Sequence, residues 1–589
     1  MTIFVMKKLA LVSVLAVLSA SLFAEERILT EATHAHVIEF FETVLKPGYG
    51  IKDVDRLVAE QKADGTWDDV DYNSKLRGAW RTALHIDRYA GLAAAFHRTG
   101  NRKYLLAAKK ALNYWAETMP VCPNWWYNEI GCPRSLGPAT ILVMKDLSQE
   151  DIDKAVKILS RASFKQTGQN KIWQAEGVMM RAYLQGDEPL MLAARDTIAS
   201  EIRVDAWKEG IQPDWSFHQH GPQLQWGNYG SAYAGVMARL TVLFDGTPLA
   251  FSPEQRRVIE DYIRYGAAQP LWKGWFDMNA CGRQITPGTQ KKKARSIIES
   301  AKLLGVEAEK YVGGRYFPYS DYGIYRTGNW YASIRMESFR TIGMEQTNKE
   351  NMRGRFAADG ALLVRRDGDE YNDVAAAWNW HHVPGVTCHD DGNEIFGWVT
   401  PKNKRYNLSE KVFGKADDDY MVCAMELDRD GLNARKAWFF CPAGIICLGC
   451  GITFNGDERI VTGVEQCRIK GDVAQNAKFI SHNGITYIPL DGAFSVAPRG
   501  HSGEWYAIHP GQGKKKSAIE LLDIYIDHGN AAKDAHYAYL VCPGGDSGKA
   551  TLKAAKKSIK IVSNTTERQA VSVGGKLLSI DWNKTEISF

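Results

Sequence analysis

The residues of this chain best suited to chemistry are a histidine and a tyrosine in one polar segment. His220 and Tyr229 both lie in residues 217–230, a stretch too polar to fill a hydrophobic core. A neutral imidazole accepts a proton near pH 7, and a phenol exchanges one when a nearby cation lowers its pKa. The two residues are therefore candidates for proton transfer. The alternative is a structural hydrogen-bonded pair, which short motifs of this kind often turn out to be.

Three other segments carry polar or aromatic side chains that would suit a binding site. Trp125 and Trp126 are adjacent in the polar loop of residues 124–134. Flat rings of this kind cover the faces of sugars, although one of the two could instead pack in a core. Asn170 opens a helical run and is either a helix cap or an amide donor to a carboxylate. Arg283 follows a glycine in a loop, where it is either a site cation or half of a surface salt bridge.

The elements that must position these residues are helical up to about Gly305. Leu76, Trp80 and Leu84 follow the helical spacing, and that run stops at Gly100. Helical segments of similar length joined by loops predict paired helices in a toroid or solenoid. Further helical runs are predicted over residues 151–163, 171–184, 189–204, 229–244 and 253–265.

After about Gly314 the pattern changes to short strands. Apolar runs such as residues 437–441, 444–452 and 485–490 are separated by Asp-Gly and Asn-Gly pairs, which favour an antiparallel sandwich. We therefore predict an α+β multidomain fold, an N-terminal all-α (α/α) domain followed by antiparallel β-sandwich domains. The predicted boundaries are 1–24 for a signal peptide, 25–314 for the helical catalytic domain, 315–546 for the central β-sandwich domain and 547–589 for a small C-terminal β domain.

The first 24 residues have the pattern of an export signal. Lys7 and Lys8 precede an apolar run and then a small-residue stretch. The apolar run is too short to span a bilayer. We expect a secreted or periplasmic protein with no membrane span, and a monomer.

Composition excludes some partners and favours others. The formal net charge of +5 includes the two lysines of the predicted signal, and no basic stripe with interleaved aromatics supports nucleic-acid binding. The 18 Trp and 25 Tyr are on the high side, as in sugar-binding clefts. The basic cluster of residues 291–295 is interpreted as a solvated helix start, the alternative being a contribution to holding an anionic polymer.

Cysteines and acidic residues suggest two further features. Cys122 and Cys132 flank a short loop where a disulfide could form in an exported protein, while Cys447 and Cys450 are predicted to be buried free thiols rather than zinc ligands. Residues 388–394 form an oxygen-rich loop that would suit a structural calcium ion, although a solvated acidic turn is favoured.

Several ordered motifs together carry a resemblance to a known family. The motifs are Asn124-Trp125-Trp126 with Glu129-Ile130-Gly131, Thr167-Gly168-Gln169-Asn170, Gln219-His220-Gly221-Pro222-Gln223 with Tyr229-Gly230, Gly282-Arg283, Asn348-Lys349-Glu350-Asn351 and Pro384-Gly385-Val386-Thr387. With these motifs in this order, the chain resembles polysaccharide lyase family 8, which comprises chondroitin AC, hyaluronate and xanthan lyases, and it is most similar to the chondroitin AC branch. The resemblance covers nearly the whole chain after the predicted signal.

The resemblance implies an incomplete (α/α) toroid and a set of roles. Asn170 would hydrogen-bond the uronate carboxylate. His220 and Tyr229 would match the family's His and Tyr, Arg283 its Arg after Gly, and Glu350 its supporting Glu, which orients Arg283 or Tyr229. The substrate-binding residues would be Asn124, Trp125, Trp126 and Asn279.

The implied reaction fits these residue types. Elimination from a 4-linked uronic acid removes the C5 proton, which is acidic only when the negative charge of the neighbouring carboxylate is countered. Asn170 would counter it without the strong ground-state binding of a full charge. Tyr229 would protonate the leaving oxygen, and either Tyr229 or His220 would take the C5 proton. We predict a lyase of chondroitin or hyaluronan that requires no cofactor.

The chain also departs from the family pattern, and other functions remain as alternatives. Pro287 stands where the branch has a second Arg, and Tyr127-Asn128 replaces an acidic residue after the tryptophans. The polymer could therefore be xanthan or alginate-like. A glycoside hydrolase would need two carboxylates across a cleft, and a non-catalytic binding protein would need none of the proton-transfer residues. The candidate carboxylates for a hydrolase are Glu129, Asp214 and Asp277.

Overall fold

Helices occupy most of the chain before Gly313. The computed structural model describes residues 27–44, 51–308, 312–393, 405–545 and 548–589, so the predicted signal peptide lies outside the described residues. The helices are α1 (Glu31–Val44), α2 (Ile51–Glu60), α3 (Leu84–Thr99), α4 (Arg102–Thr118), α5 (Cys132–Val143), α6 (Gln149–Leu159), α7 (Gly168–Gln185), α8 (Glu188–Ala199), α9 (Ser231–Phe244), α10 (Pro253–Asp261), α11 (Thr289–Leu303) and, near the C-terminus, α12 (Gly548–Ser558).

The predicted helix around Trp80 ends where the sequence indicated but begins later. Gly100 closes α3 in the left-handed region at φ 67°, with its N–H bonded to the Phe96 carbonyl. The helix starts only at Leu84, because Trp80 is buried edge-on against Trp115 and the preceding residues form a loop. This loop reaches the functional cleft described below.

The remainder of the chain is built of strands. The short strands of the helical region are β1 (Gly210–Ile211), β2 (Phe217–His218), β3 (Leu271–Trp272) and β4 (Trp275–Phe276). The others are β5 (Gly313–Phe317), β6 (Tyr322–Arg326), β7 (Tyr331–Arg335), β8 (Ala361–Arg365), β9 (Thr387–Asp390), β10 (Val412–Ala416), β11 (Met421–Arg429), β12 (Leu432–Cys441), β13 (Gly444–Phe454), β14 (Arg459–Arg468), β15 (Val473–Asn476), β16 (Phe479–His482), β17 (Ile485–Asp491), β18 (Ser495–Val496), β19 (Gly500–Glu504), β20 (Lys516–Asn530), β21 (Ala535–Cys542), β22 (Ile559–Asn564), β23 (Arg568–Val573), β24 (Lys576–Asp581) and β25 (Glu586–Ser588).

These strands form four larger antiparallel sheets. The orders are β5-β6-β7-β8, β10-β11-β12-β13-β21-β17-β16-β15, β18-β20-β14-β9 with β19 beside β20, and β22-β23-β24-β25. The Asp430-Gly431 and Asn483-Gly484 pairs turn two of the predicted hairpins, with both residues of each pair at positive φ. The predicted class is confirmed: a helical domain is followed by antiparallel sheets.

The first of these sheets joins the two parts of the molecule. Buried Asp277 accepts hydrogen bonds from Tyr331 (2.8 Å) and Tyr322 of that sheet and pairs with Arg365 at 3.1 Å. Asn279 donates to Ser333 Oγ and to a main-chain carbonyl of the sheet, both at 3.0 Å. The loop before Arg283 is thereby fixed to the β domain.

Two further sequence predictions concern cysteines and membranes. Cys447 and Cys450 are buried free thiols, as predicted. Cys122 and Cys132 are also buried and free, so the suggested disulfide is not formed in this structure. Among the described residues, no helix has both the length and the apolar character needed to cross a bilayer.

Candidate active site

A cleft of about 370 Å³ lies where loops of the helical domain meet a loop of the β domain. Seven of the nine site residues predicted from the sequence contribute to its wall. The predicted residues that line it are Asn124, Trp125, Trp126, His220, Tyr229, Arg283 and Glu350. Two predicted residues, Asn170 and Asn279, are not part of the cleft wall.

Tyr229 is positioned by a single π-helical turn, Trp226–Gly230, which leads into α9. Two glycines let this turn pack closely. A Cβ on Gly227 would lie 2.5 Å from the Ala280 carbonyl oxygen, and one on Gly230 would lie 2.5 Å from the Tyr262 hydroxyl. The turn that carries Tyr229 therefore lies directly against the segment that leads to Arg283.

His220 is held in an unusual backbone conformation beside Tyr229. Its φ is 62°, and Glu209 stabilises the turn by accepting hydrogen bonds from the main-chain N–H groups of His220 (2.8 Å) and Gly221 (3.3 Å). The imidazole meets the Tyr229 ring edge-on at a centroid distance of 4.9 Å, and its Nδ1 lies 3.0 Å from Glu345 Oε2. Because a carboxylate only accepts, the neutral ring carries its proton on Nδ1 and Nε2 is left as an acceptor.

Arg283 links the other charged groups of the cleft. Its Nε donates to Glu350 at 2.7 Å, Nη1 donates to Glu345, and Nη2 donates to the Tyr229 hydroxyl at 3.3 Å. The guanidinium carbon lies 5.5 Å from the centre of the Tyr229 ring. The expected contact between Glu350 and Arg283 is present, and a second carboxylate, Glu345, contacts both Arg283 and His220.

Sequence reasoning did not find Glu345. It lies three residues before the Asn348-Lys349-Glu350-Asn351 motif, and its partners Arg283 and His220 are 62 and 125 positions away along the chain. Its proximity to that motif was the single available signal. Only the fold brings the three side chains together.

The charges around the cleft have pKa values that follow from burial and pairing. Burial opposes ionisation of Glu345, but Arg283 and His220 outweigh it and lower the pKa of this carboxyl to about 2. Burial likewise opposes ionisation of Glu350, yet His509 and Arg283 lower its pKa. Burial raises the pKa of Tyr229 above its usual value, and Arg283 offsets only part of this. At neutral pH the cleft therefore holds two carboxylates and a protonated phenol.

Aromatic side chains form a second part of the wall. Trp125 is 37% exposed, so its face is open to a ligand. Trp126 meets Trp173 edge-on at 5.8 Å, and Trp173 in turn lies 5.9 Å from the Tyr229 ring. Asn124 shapes this loop, because its side chain accepts from the Trp126 N–H and donates to a carbonyl of the loop before α3. A series of aromatic rings in mutual contact thus leads from the tryptophan loop to the phenol.

Three amide side chains in and near the cleft differ in their hydrogen bonding. Asn170 is buried in the first turn of α7, one turn before Trp173, and its Oδ1 has no hydrogen-bond partner. Asn279, predicted to bind substrate, has its amide occupied by Ser333 and a main-chain carbonyl at the domain junction. Asn228, not predicted, lines the cleft and has a buried Nδ2 with no partner.

Two other sequence interpretations can be placed in the structure. The basic cluster does start α11, but Lys293 within it is buried, and it donates to the Gly227 carbonyl and, at 2.7 Å, to Gln284 Oε1. In the acidic loop considered for calcium, Asp390 and Asp391 have ligand atoms within 4.8 Å of each other and of His381, which lies before the loop. Glu394 lies outside the described residues.

Comparison with known proteins agrees over nearly the whole described chain. The N-terminal α-helical domain of polysaccharide lyase family 8 matches residues 50–313, and the super-sandwich domain of that family matches residues 312–554. Chondroitinase-AC of Pedobacter heparinus is 30% identical over 560 aligned residues, covering 86% of this chain and 79% of that protein. A hyaluronate lyase of Thermasporomyces composti is 24% identical over 607 residues, covering 86% and 76%.

Solved structures show the same architecture. A chondroitinase AC lyase determined with oligosaccharides superposes with a TM-score of 0.85 at 27% identity, covering 93% of this chain and 89% of that one. A Streptomyces coelicolor A3 chondroitin AC lyase in complex with chondroitin sulphate shares the fold, with a TM-score of 0.83 at 20% identity over 94% and 85% of the chains. On this sequence and domain agreement, the chain belongs to polysaccharide lyase family 8.

Proposed function

We propose that this lyase cleaves a uronic-acid-containing glycosaminoglycan, chondroitin or hyaluronan, by β-elimination to 4,5-unsaturated products. The observation that carries the proposal is the cluster of His220, Tyr229 and Arg283 in one cleft beside an open tryptophan face. The names of the relatives, chondroitinase-AC and hyaluronate lyase, support this substrate class. We also propose export, on the signal-like pattern of the first 24 residues.

The proposed reaction begins at the C5 proton of the uronate. His220 Nε2 is an acceptor beside Tyr229. Either His220 takes the C5 proton directly, or Tyr229 takes it after its own phenolic proton has passed to His220. The buried, protonated Tyr229 is suited to deliver a proton to the leaving glycosidic oxygen. The carboxylate of the uronate binds amide donors, for which the candidates are Asn170, on the family resemblance, and Asn228, whose buried Nδ2 lines the cleft without a protein partner.

The charges of the cleft disfavour the hydrolase alternative. A hydrolase needs a protonated carboxyl at the scissile bond and a second carboxylate opposite. Glu345 and Glu350 both have lowered pKa values and are bound to Arg283, so neither holds a proton at neutral pH. The candidate carboxylates Glu129, Asp214 and Asp277 hydrogen-bond elsewhere and do not line the cleft.

The test supplies chondroitin, hyaluronan, xanthan and alginate separately and records near-ultraviolet absorbance, because only elimination creates the conjugated C4–C5 double bond. We expect product from chondroitin or hyaluronan. Tyr229→Phe should lower kcat by roughly 1,000-fold, the effect of losing a general acid–base group, and leave polymer binding within a few fold. Tyr265→Phe is the matched control.

Three outcomes would contradict the proposal. Absence of absorbance from every polymer would exclude the lyase assignment for these substrates. Product from xanthan or alginate alone would show that the substrate is not a glycosaminoglycan. Full turnover by the Tyr229→Phe variant would exclude Tyr229 as the proton donor.

A further inference from the structure

The catalytic cluster does not offer a free positive charge to an anionic polymer. The guanidinium of Arg283 is shared between Glu345 and Glu350, and its remaining nitrogen donates to Tyr229. His220 faces Glu345 as well. The two carboxylates therefore more than offset the single positive charge of Arg283 at the reacting centre. A positive charge that pairs with the oxyanions of the polymer therefore has to come from a residue outside this cluster.

Arg77 is a cation of the cleft wall that is not paired with a carboxylate. It is exposed, and it lies in the loop that precedes α3. Its Nε donates to Asn348 Oδ1 at 3.3 Å and its Nη1 donates to the Pro123 carbonyl at 3.0 Å. Both acceptors are neutral, and within the described residues no carboxylate forms an ion pair with Arg77. The side chain is fixed in place while its charge remains uncompensated.

The neighbours of Arg77 indicate which part of the polymer it faces. Pro123 leads directly into the tryptophan loop, and Asn124 Nδ2 donates to the main-chain carbonyl of Arg77 at 3.0 Å. Arg77 and the exposed face of Trp125 therefore belong to the same wall. Tyr229 is held separately, by Arg283 and the π-helical turn. An anion at Arg77 would lie on a sugar beside the one being cleaved.

We propose that Arg77 determines specificity by binding a second oxyanion of the polymer, a uronate carboxylate or a sulfate ester on a neighbouring sugar. The inference rests on the proposed function and extends it to substrate selection. Arg77 supplies a positive charge to the cleft of a chain that has Pro287 in place of the second Arg of the family branch. The guanidinium fork suits either oxyanion, because it can donate two parallel hydrogen bonds.

The experiment measures KM and kcat of wild type, Arg77→Gln and Arg77→Lys on unsulfated chondroitin, chondroitin 4-sulfate and chondroitin 6-sulfate. Arg77→Gln should raise KM about 10-fold or more, because a charge-assisted hydrogen bond is lost, with kcat nearly unchanged. Arg77→Lys should lie between, since it keeps the charge but loses the fork. The KM of the Gln variant should also depend less on salt than that of wild type. Arg81→Gln, an exposed arginine four positions along, is the control.

The three substrates distinguish a sulfate from a carboxylate as the oxyanion bound by Arg77. The activity of wild type tests the proposed function separately from this inference. A loss on the sulfated polymers alone identifies a sulfate, and an equal loss on all three identifies a carboxylate. If the enzyme is active and Arg77→Gln leaves KM unchanged, the inference is overturned. A loss of kcat and of thermal stability without any change in KM also overturns it, because it would show that Arg77 only stabilises the fold. If wild type forms no product, the proposed function fails. Calorimetric binding of chondroitin 4-sulfate to wild type and Arg77→Gln then tests Arg77 alone.

Discussion

Arg283 is the residue on which the geometry of the cleft depends most. It is 8% exposed in the side chain, and it contacts two carboxylates and the Tyr229 hydroxyl at once. Removing one partner from a buried ion pair leaves an uncompensated charge, which typically costs about 3–5 kcal/mol. Of the two carboxylates, Glu345 contacts more of the residues around the reacting centre. Besides Arg283, it accepts hydrogen bonds from Nδ1 of His220 and, at 3.1 Å, from Nε2 of Gln225.

We predict that Glu345→Gln lowers kcat roughly 100-fold, because His220 loses the carboxylate that fixes its proton on Nδ1 and Arg283 loses half of its charge balance. The measurement is steady-state kinetics with a thermal unfolding scan on the same preparation. Exposed Glu299→Gln is the control. A folded variant with wild-type kcat would show that the Glu345 contacts do not support turnover.

At the scale of elements, the π-helical turn and helix α11 together fix the distance between Tyr229 and Arg283. Lys293 of α11 donates both to the Gly227 carbonyl, inside the turn, and to Gln284, next to Arg283. Burial lowers the pKa of this ammonium to about 8, and the two oxygen acceptors hold the ammonium in the interior. The basic cluster was predicted to be solvated, but its member Lys293 is buried and connects the π-helical turn to the segment that carries Arg283.

Lys293→Met should lower kcat about 100-fold with little change in KM, because displacement of a reacting group by about 1 Å has an effect of this size. The shape of the side chain is nearly kept, and only the two hydrogen bonds and the charge are removed. Lys292→Met, an exposed neighbour on the same helix, controls for the loss of a positive charge. Equal kinetics in the two variants would exclude a positioning role for Lys293.

At the scale of the whole molecule, buried acids couple the stability of the β part to pH. Glu465 of β14 accepts hydrogen bonds from Tyr371 (2.9 Å) and from Tyr487 (2.6 Å), a residue of a different sheet. Burial raises the pKa of Glu465 from 4.5 to about 7, with the two hydroxyls offsetting part of the effect. The folded protein therefore keeps a proton there that the unfolded chain releases. The stabilisation is complete below about pH 4.5 and is lost as the pH rises through about 7.

Glu465→Gln removes this titration, because the amide imitates the neutral acid. From pH 5 to pH 8 the stability of wild type should fall relative to the variant by up to about 3 kcal/mol, the equivalent of the pKa shift. Urea unfolding midpoints of both proteins at the two pH values measure it. Glu520→Gln, at an exposed residue of β20, is the control. A difference between wild type and Glu465→Gln that does not change with pH would contradict the assignment.

The features that could be predicted from the sequence are those set by residues close together in the chain. Periodicity and turn pairs are local, so the order of helices and sheets could be predicted, and the motif around His220 and Tyr229 was found with it. Glu345, Asn228 and Arg77 could not be assigned, because their roles arise from contacts with residues distant in the chain. The contacts of Asn279 could not be predicted for the same reason, because its partners Ser333 and Ala361 are on the first β sheet.

The distribution of the cleft over two domains has a consequence for exchanging parts between relatives. The two family domains meet near residue 313, but the ion cluster crosses that boundary, with Arg283 on one side and Glu345 and Glu350 on the other. A chimera that joins this helical domain to a relative's β domain keeps Arg283 but loses the Glu345 and Glu350 that pair with it here. The unit that must be transplanted intact is the junction, so recombination points suited to this enzyme lie outside residues 283–350.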